Sequence, residues 1–266
     1  MTTSTAAPEV AGWGRRRLLL VLAGASTLVV CLAAGLVYGV VASLADKPSV
    51  PTGRSASVAA STGQSFRDRV ATTPMRQVGP EASRGGAAAT APSPSIQVPP
   101  ATTEGTAGVP TGYPHTPAGA VGQLAAIDTT VLAGMSVPHT TGVYGAWSLP
   151  GAPPASRWVM TGNVRAFLTA AAGAADPVLT ATPVAAQVKG TDGPGWVLAC
   201  VLLRLDAVAA ATASVAYGHC EPMQWQHDRW MIAAGARPAA APSTWPGTDL
   251  ALQAGWRTWV PLGVQD

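Results

Sequence analysis

Residues 18–45 form an uncharged, mostly apolar segment that constrains this chain more than any other feature of its sequence. A helix crosses the hydrocarbon core of a bilayer with about 20 residues, so the segment is long enough to span a membrane. Arg15, Arg16 and Arg17 directly precede it, and such an excess of positive charge is typical of the cytoplasmic side. The sequence therefore predicts a single-pass membrane protein in which residues 1–17 are a cytoplasmic tail.

A cleaved signal peptide is the alternative to a permanent anchor, because Ser43 and Ala45 place small residues where a signal peptidase would cut. We favour the anchor, since the apolar segment is about twice as long as the 7–15 apolar residues of a signal peptide. Gly35 and Gly39 form a GxxxG pattern, which would let two membrane helices approach closely and form a homo-oligomer. Glycine is also common in membrane helices that do not dimerise.

Residues 46–115 are rich in Pro, Ala, Ser, Thr and Gly and show no sustained helical or strand periodicity. Such a composition buries too little apolar surface to offset the entropy lost on ordering. The sequence therefore predicts a disordered linker that separates the membrane from a following domain.

Charge is divided unevenly along the chain. Residues 1–115 hold nine Lys or Arg and five Asp or Glu, whereas residues 116–266 hold seven and eight. The second part thus has a net charge of −1, without the basic excess that a phosphate backbone requires. We expect no direct binding of nucleic acid by this part.

Residues 116–266 show the patterns of an α+β domain. Thr116 and Pro117 suit the start of a helix, and apolar stripes predict three helices before residue 173. From Val178 onward the pattern changes to strands, with a tight turn at His227 and Asp228. The sequence therefore predicts about three helices packed on a curved antiparallel sheet in an extracytoplasmic domain.

Two predicted strands carry one cysteine each. If residues 196–206 and 214–220 form a hairpin that turns near residue 210, Cys200 lies directly opposite Cys220. Opposed side chains of neighbouring strands lie close to disulfide distance, and an oxidising compartment would allow the bond. Two buried free thiols are the alternative.

Four segments of the chain resemble a known family. They read YPHTPAGAV at 113–121, MQWQHDRWMI at 223–232, and WPGTD followed by GWRTW at 245–249 and 255–259. With the order of anchor, linker, helices and sheet, they resemble actinobacterial single-pass membrane proteins of conjugative elements whose extracytoplasmic domain has the nuclear-transport-factor-like cone fold. By analogy with VirB-type assembly factors, the resemblance implies a non-enzymatic scaffold of a DNA-transfer or secretion-type apparatus with partners in the cell envelope.

No catalytic, cofactor or metal motif stands out in the sequence. The four histidines show no ligand spacing, and we interpret them as solvated or structural. Asp128 lies near the apolar stripe of the first helix, where an unpaired carboxylate would be costly. We expect it to pair with Arg165 or Arg204 rather than to act as a general base.

A pocket lined by Asp128, Tyr144 and Tyr217 would instead favour a runner-up function, a small-ligand-binding or isomerase-like cone domain. Of the domain's tryptophans, Trp256 and Trp259 flank Arg257. Tryptophan and arginine are enriched at contact surfaces, so these three residues are a candidate interaction surface, with burial in the core as the alternative.

Overall fold

The computed structural model describes residues 65–174, 177–208 and 212–263. The predicted anchor, including Gly35 and Gly39, lies outside these ranges. Within them, no helix combines the length and the apolar character needed to cross a bilayer.

Five α-helices and three short 3₁₀ helices occur in the described residues. Thr116 caps the longest helix, since its hydroxyl accepts a hydrogen bond from the backbone N–H of Gly119 at 3.1 Å. This helix ends at Gly134, and the residue that follows it, Met135, adopts the left-handed conformation. The α-helices are α1 (Phe66–Thr72), α2 (Pro117–Gly134), α3 (Val137–Trp147), α4 (Val159–Ala170) and α5 (Asp249–Gln253), and the 3₁₀ helices are Pro80–Ser83, Thr106–Gly108 and Ala155–Arg157.

A mixed six-stranded sheet, antiparallel except for one pair, follows the order β1-β8-β4-β5-β6-β7, and a separate two-stranded ribbon pairs β2 with β3. In the large sheet, the long strands β4, β5 and β6 pair antiparallel, and β1 joins β8 in parallel. The strands are β1 (Ser95–Val98), β2 (Thr103–Glu104), β3 (Pro110–Thr111), β4 (Val178–Thr191), β5 (Trp196–Val208), β6 (Thr212–Gln226), β7 (Arg229–Ile232) and β8 (Arg257–Pro261). The predicted α+β class with a curled sheet is confirmed.

Both faces of the large sheet are covered. Side chains of β5 alternate between two apolar clusters: Val201 and Leu203 pack with helices α2, α3 and α4, whereas Cys200 and Leu202 pack with Trp256 on the other face. Residues 233–254 therefore form part of a third layer behind the sheet. This covering explains why residues 196–203 of β5 are continuously apolar and do not alternate with polar residues.

Much of the predicted linker is ordered, so the prediction of disorder is wrong for residues 65–115. Strand β1 pairs with β8, and Val98 and Val109 are buried in the main apolar cluster. The ammonium group of Lys189 donates to the carbonyl of Ala71 at 3.0 Å. These ordered pieces are too short to show periodicity, and their stabilising contacts come from residues distant in sequence. The rest of that linker, residues 46–64, lies outside the described residues.

Candidate functional site

The hairpin of β5 and β6 has the register predicted from the sequence. Cys200 pairs with Cys220, and the two form a disulfide, as predicted. Because side chains alternate along a strand, this register directs His219 and Glu221 of β6 to the same face as Val201, which is the face covered by the helices.

A buried Asp–His–Glu triad lies between the helices and the sheet. Nδ1 of His219 is 2.8 Å from Oδ2 of Asp128 on α2, and its Nε2 is 3.1 Å from Oε1 of Glu221. The same Glu221 oxygen accepts a hydrogen bond from the indole N–H of Trp158 at 2.8 Å. Asp128, His219 and Glu221 are 0%, 4% and 8% exposed. Three ionisable groups are thus held together away from bulk water.

The surroundings of His219 favour a doubly protonated ring. Burial by itself lowers the pKa of His219, but the charge of Asp128, together with Tyr217 and the hydrogen bonds to both carboxylates, raises this pKa well above its usual value. Burial raises the pKa of the Asp128 carboxyl, and the charge of His219 opposes that rise. We therefore assign an imidazolium that donates one hydrogen bond to each carboxylate.

The stability of the protein should depend on the protonation of His219. The folded chain keeps a proton that the unfolded chain releases above about pH 6.5. The free energy of unfolding should therefore be highest below that pH and fall, by at most about 1.4 kcal/mol per pH unit, as the pH rises through the raised pKa of His219. Urea denaturation between pH 6 and 8.5 measures this slope. The variant His219→Gln should flatten it, and equal slopes in the two proteins would contradict the assignment.

Two members of the triad, His219 and Glu221, line a cavity of about 620 Å³, which we call the edge cavity. Strand β7 pairs with β6 only from Met223 onward, so the preceding part of β6 has no strand beside it on that side. Residues 235–241 pass along this open edge and line the cavity opposite the helices. His219 and Glu221 line the cavity, whereas Asp128 lies behind His219 and holds its ring.

Two tyrosines predicted as pocket residues, Tyr144 and Tyr217, also line the edge cavity. Burial and the charge of Glu221 raise the pKa of Tyr144 to about 12, and burial is the main cause of the raised pKa of Tyr217. Both are therefore neutral phenols at physiological pH. The hydroxyl of Tyr144 donates to the carbonyl of Pro153 at 2.8 Å, and that of Tyr217 accepts from the amide of Asn163 at 2.7 Å.

The predicted pairing of Asp128 with Arg165 or Arg204 is wrong. Arg204 bonds to Asp206 instead, because its position on β5 directs it away from the face that Leu203 shares with the helices. Arg165 is exposed on α4. The sequence interpretation also missed His219 and Glu221 as partners of Asp128.

A signal for the missed residues was present in the sequence. Tyr217, His219 and Glu221 alternate along one strand, and a period of two places them on one face. The predicted hairpin register placed His219 opposite the apolar residue Val201. Polar side chains on a face that is otherwise apolar indicate a buried polar site.

The candidate interaction surface is only partly exposed. Trp256 is buried, and its indole N–H donates to the carbonyl of Pro242 at 3.0 Å, so its proposed contact role is wrong. Trp259 is half-buried and packs against the main cluster, whereas Arg257 is exposed. Residues 233–254 cover the face on which Trp256 lies, which the sequence pattern did not indicate.

Among the described residues, no cluster of three or more His, Cys, Asp or Glu side chains is arranged to hold a metal ion. The triad does not offer a free ring nitrogen, because both nitrogens of His219 face carboxylates.

The chain matches no protein-family model, no curated protein and no solved structure.

Proposed function

We propose that this domain binds a small organic molecule in the edge cavity. The observation that carries the proposal is the position of Glu221 and His219, two ionisable groups that are buried from bulk water and yet line a cavity. The cavity volume of about 620 Å³ falls within the range of ~300–1,000 Å³ that is usual for ligand pockets. A largely apolar pocket with a few convergent polar groups is typical of such sites.

The energetics of the triad support a role beyond folding. A buried ion pair adds little net stability compared with apolar residues of similar volume, because desolvation offsets the attraction between the charges. Oδ1 of Asp128 is buried and has no hydrogen-bond partner among the described residues, which adds to this cost. Ionisable groups in such surroundings concentrate at functional sites. The triad therefore supports ligand recognition at Glu221.

Binding of 4-methylumbelliferone tests this proposal. At pH 6.5 this probe is a neutral aromatic whose phenol can donate a hydrogen bond to Glu221, and its absorption overlaps the emission of Trp158. We expect saturable one-to-one binding to the full chain in lipid nanodiscs, with quenching of tryptophan fluorescence. Empty nanodiscs give the background.

Matched variants connect this binding to the edge cavity. Ala239 lines the cavity, so the phenyl ring of Ala239→Phe should occupy part of it and reduce binding at least about tenfold. Ala172 is exposed and is not a lining residue, so Ala172→Phe should bind like the unaltered protein. Absence of binding, or equal binding by both variants, would refute the proposed function.

We also propose that the domain is a cone of three helices on a curved sheet, held outside the cytoplasm by the anchor at residues 18–45. The disulfide between Cys200 and Cys220 supports an oxidising compartment.

The scaffold role that the family resemblance implies stays a prediction, and it needs exposed apolar surface for cell-envelope partners. The large apolar side chains exposed in the described ranges are Phe66, Leu168, Val178, Val208 and Leu262.

A further inference from the structure

Two arginines line the edge cavity where it meets solvent. Arg157 and Arg237 are both exposed and both line the cavity, and neither has an acidic partner among the described residues. By contrast, Arg67 is paired with Asp192. Two guanidinium groups that line one cavity, neither with an acidic partner among the described residues, favour an anionic group, above all a carboxylate or phosphate that can accept two parallel hydrogen bonds.

The inner end of the cavity has the opposite character. Two acidic side chains, Asp128 and Glu221, lie here against the single basic side chain of His219. Oε1 of Glu221 is occupied by Trp158 and His219, whereas its second oxygen has no protein donor among the described residues. An ionised carboxylate only accepts hydrogen bonds. A ligand group at this end must therefore be a donor.

Apolar side chains make up much of the remaining lining of the cavity. Val159, Ile232, Ala236 and Pro238 also line the cavity, and such surface favours an apolar ligand body. We propose that the edge cavity binds an amphipathic carboxylate, whose anionic group contacts Arg157 and Arg237 and whose far end donates a hydrogen bond to Glu221. This inference rests on the proposed function, because it names the chemical class of ligand for the same cavity.

Three related compounds separate the two polar ends. We propose to measure calorimetric binding of 3-(4-hydroxyphenyl)propanoate, its methyl ester and 3-phenylpropanoate to the full chain in lipid nanodiscs. The hydroxy acid should bind about tenfold more tightly than the ester, which lacks the charge. It should also bind about fivefold more tightly than 3-phenylpropanoate, which lacks the donor.

Arginine variants assign the charge preference to the cavity opening. Arg157→Ala and Arg237→Ala should each weaken binding of the acid about three- to fivefold, the range for an exposed ion pair, and leave the ester unaffected. Arg165→Ala is the control, because Arg165 is exposed on α4 and does not line the cavity.

Equal affinity of acid and ester, no binding of the acid, or no effect of either arginine variant would overturn this inference. If 4-methylumbelliferone still bound and Ala239→Phe still blocked it, the proposed function would stand and only the ligand class would be wrong. If that probe also failed to bind, both proposals would fall together.

Discussion

Replacing Asp128 with alanine is expected to lower the free energy of unfolding by about 3–5 kcal/mol, the cost of removing one partner from a buried ion pair. Asp128 is fully buried and its carboxylate contacts the ring of His219. Without it, the imidazolium loses one of its two carboxylates while it stays enclosed. Urea denaturation of the full chain at pH 6.5 measures the loss.

Two further variants distinguish charge from packing at this site. Asp128→Asn keeps the shape of the side chain and one hydrogen-bond acceptor but removes the charge. The pKa of His219 should therefore fall, and the free energy of unfolding should begin to level off at a lower pH than in the unaltered protein. Asp206→Asn disrupts the exposed pair with Arg204 and should cost less than about 1 kcal/mol. A loss for Asp128→Ala no larger than that for Asp206→Asn would contradict a charged triad.

The second large effect concerns the disulfide. Cys200 and Cys220 are 20 residues apart in sequence, and a cross-link that closes a loop of this length contributes about 3 kcal/mol. The variant Cys200→Ser with Cys220→Ser should therefore lower the free energy of unfolding by about that amount. It should also weaken ligand binding, because Cys220 connects His219 to Glu221 in the strand that carries the site.

Thiol counting gives an independent check of this bond. In a Cys31→Ser background, the two remaining cysteines should resist alkylation in the denatured, unreduced protein and react after reduction. Two reactive thiols before reduction would show that the bond is absent from the protein as isolated.

Local sequence patterns predicted most of the architecture of the domain. Thr116 caps α2 and Pro117 is its first residue, and the turn at His227 and Asp228 joins β6 to β7 with both residues at positive φ. The pairing of Cys200 with Cys220 followed from strand register alone. Each of these features depends on neighbouring residues or on a single hairpin, which is why a periodic pattern was sufficient.

Contacts between residues far apart in the chain were not predictable in the same way. His219 lies 91 residues from Asp128 in the sequence. Local sequence patterns do not indicate which helix packs on which strand, so this contact could not be predicted from them. Strand β1 is ordered by its pairing with β8, although its own composition is typical of a linker. Trp256 is buried by residues of the third layer. No periodic pattern in the sequence predicted that layer.

The most direct test of a ligand-binding cavity built on a charged triad is nitrogen NMR of the histidine rings, with His219 assigned by the variant His219→Gln. At pH 7.0 we expect both ring nitrogens of His219 to carry protons, and we expect the Nε2 signal to shift when 4-methylumbelliferone saturates the cavity. The signals of His139, which does not line the cavity, should stay unchanged. A neutral His219 ring, or a ring whose signals do not respond to the ligand, would contradict the account.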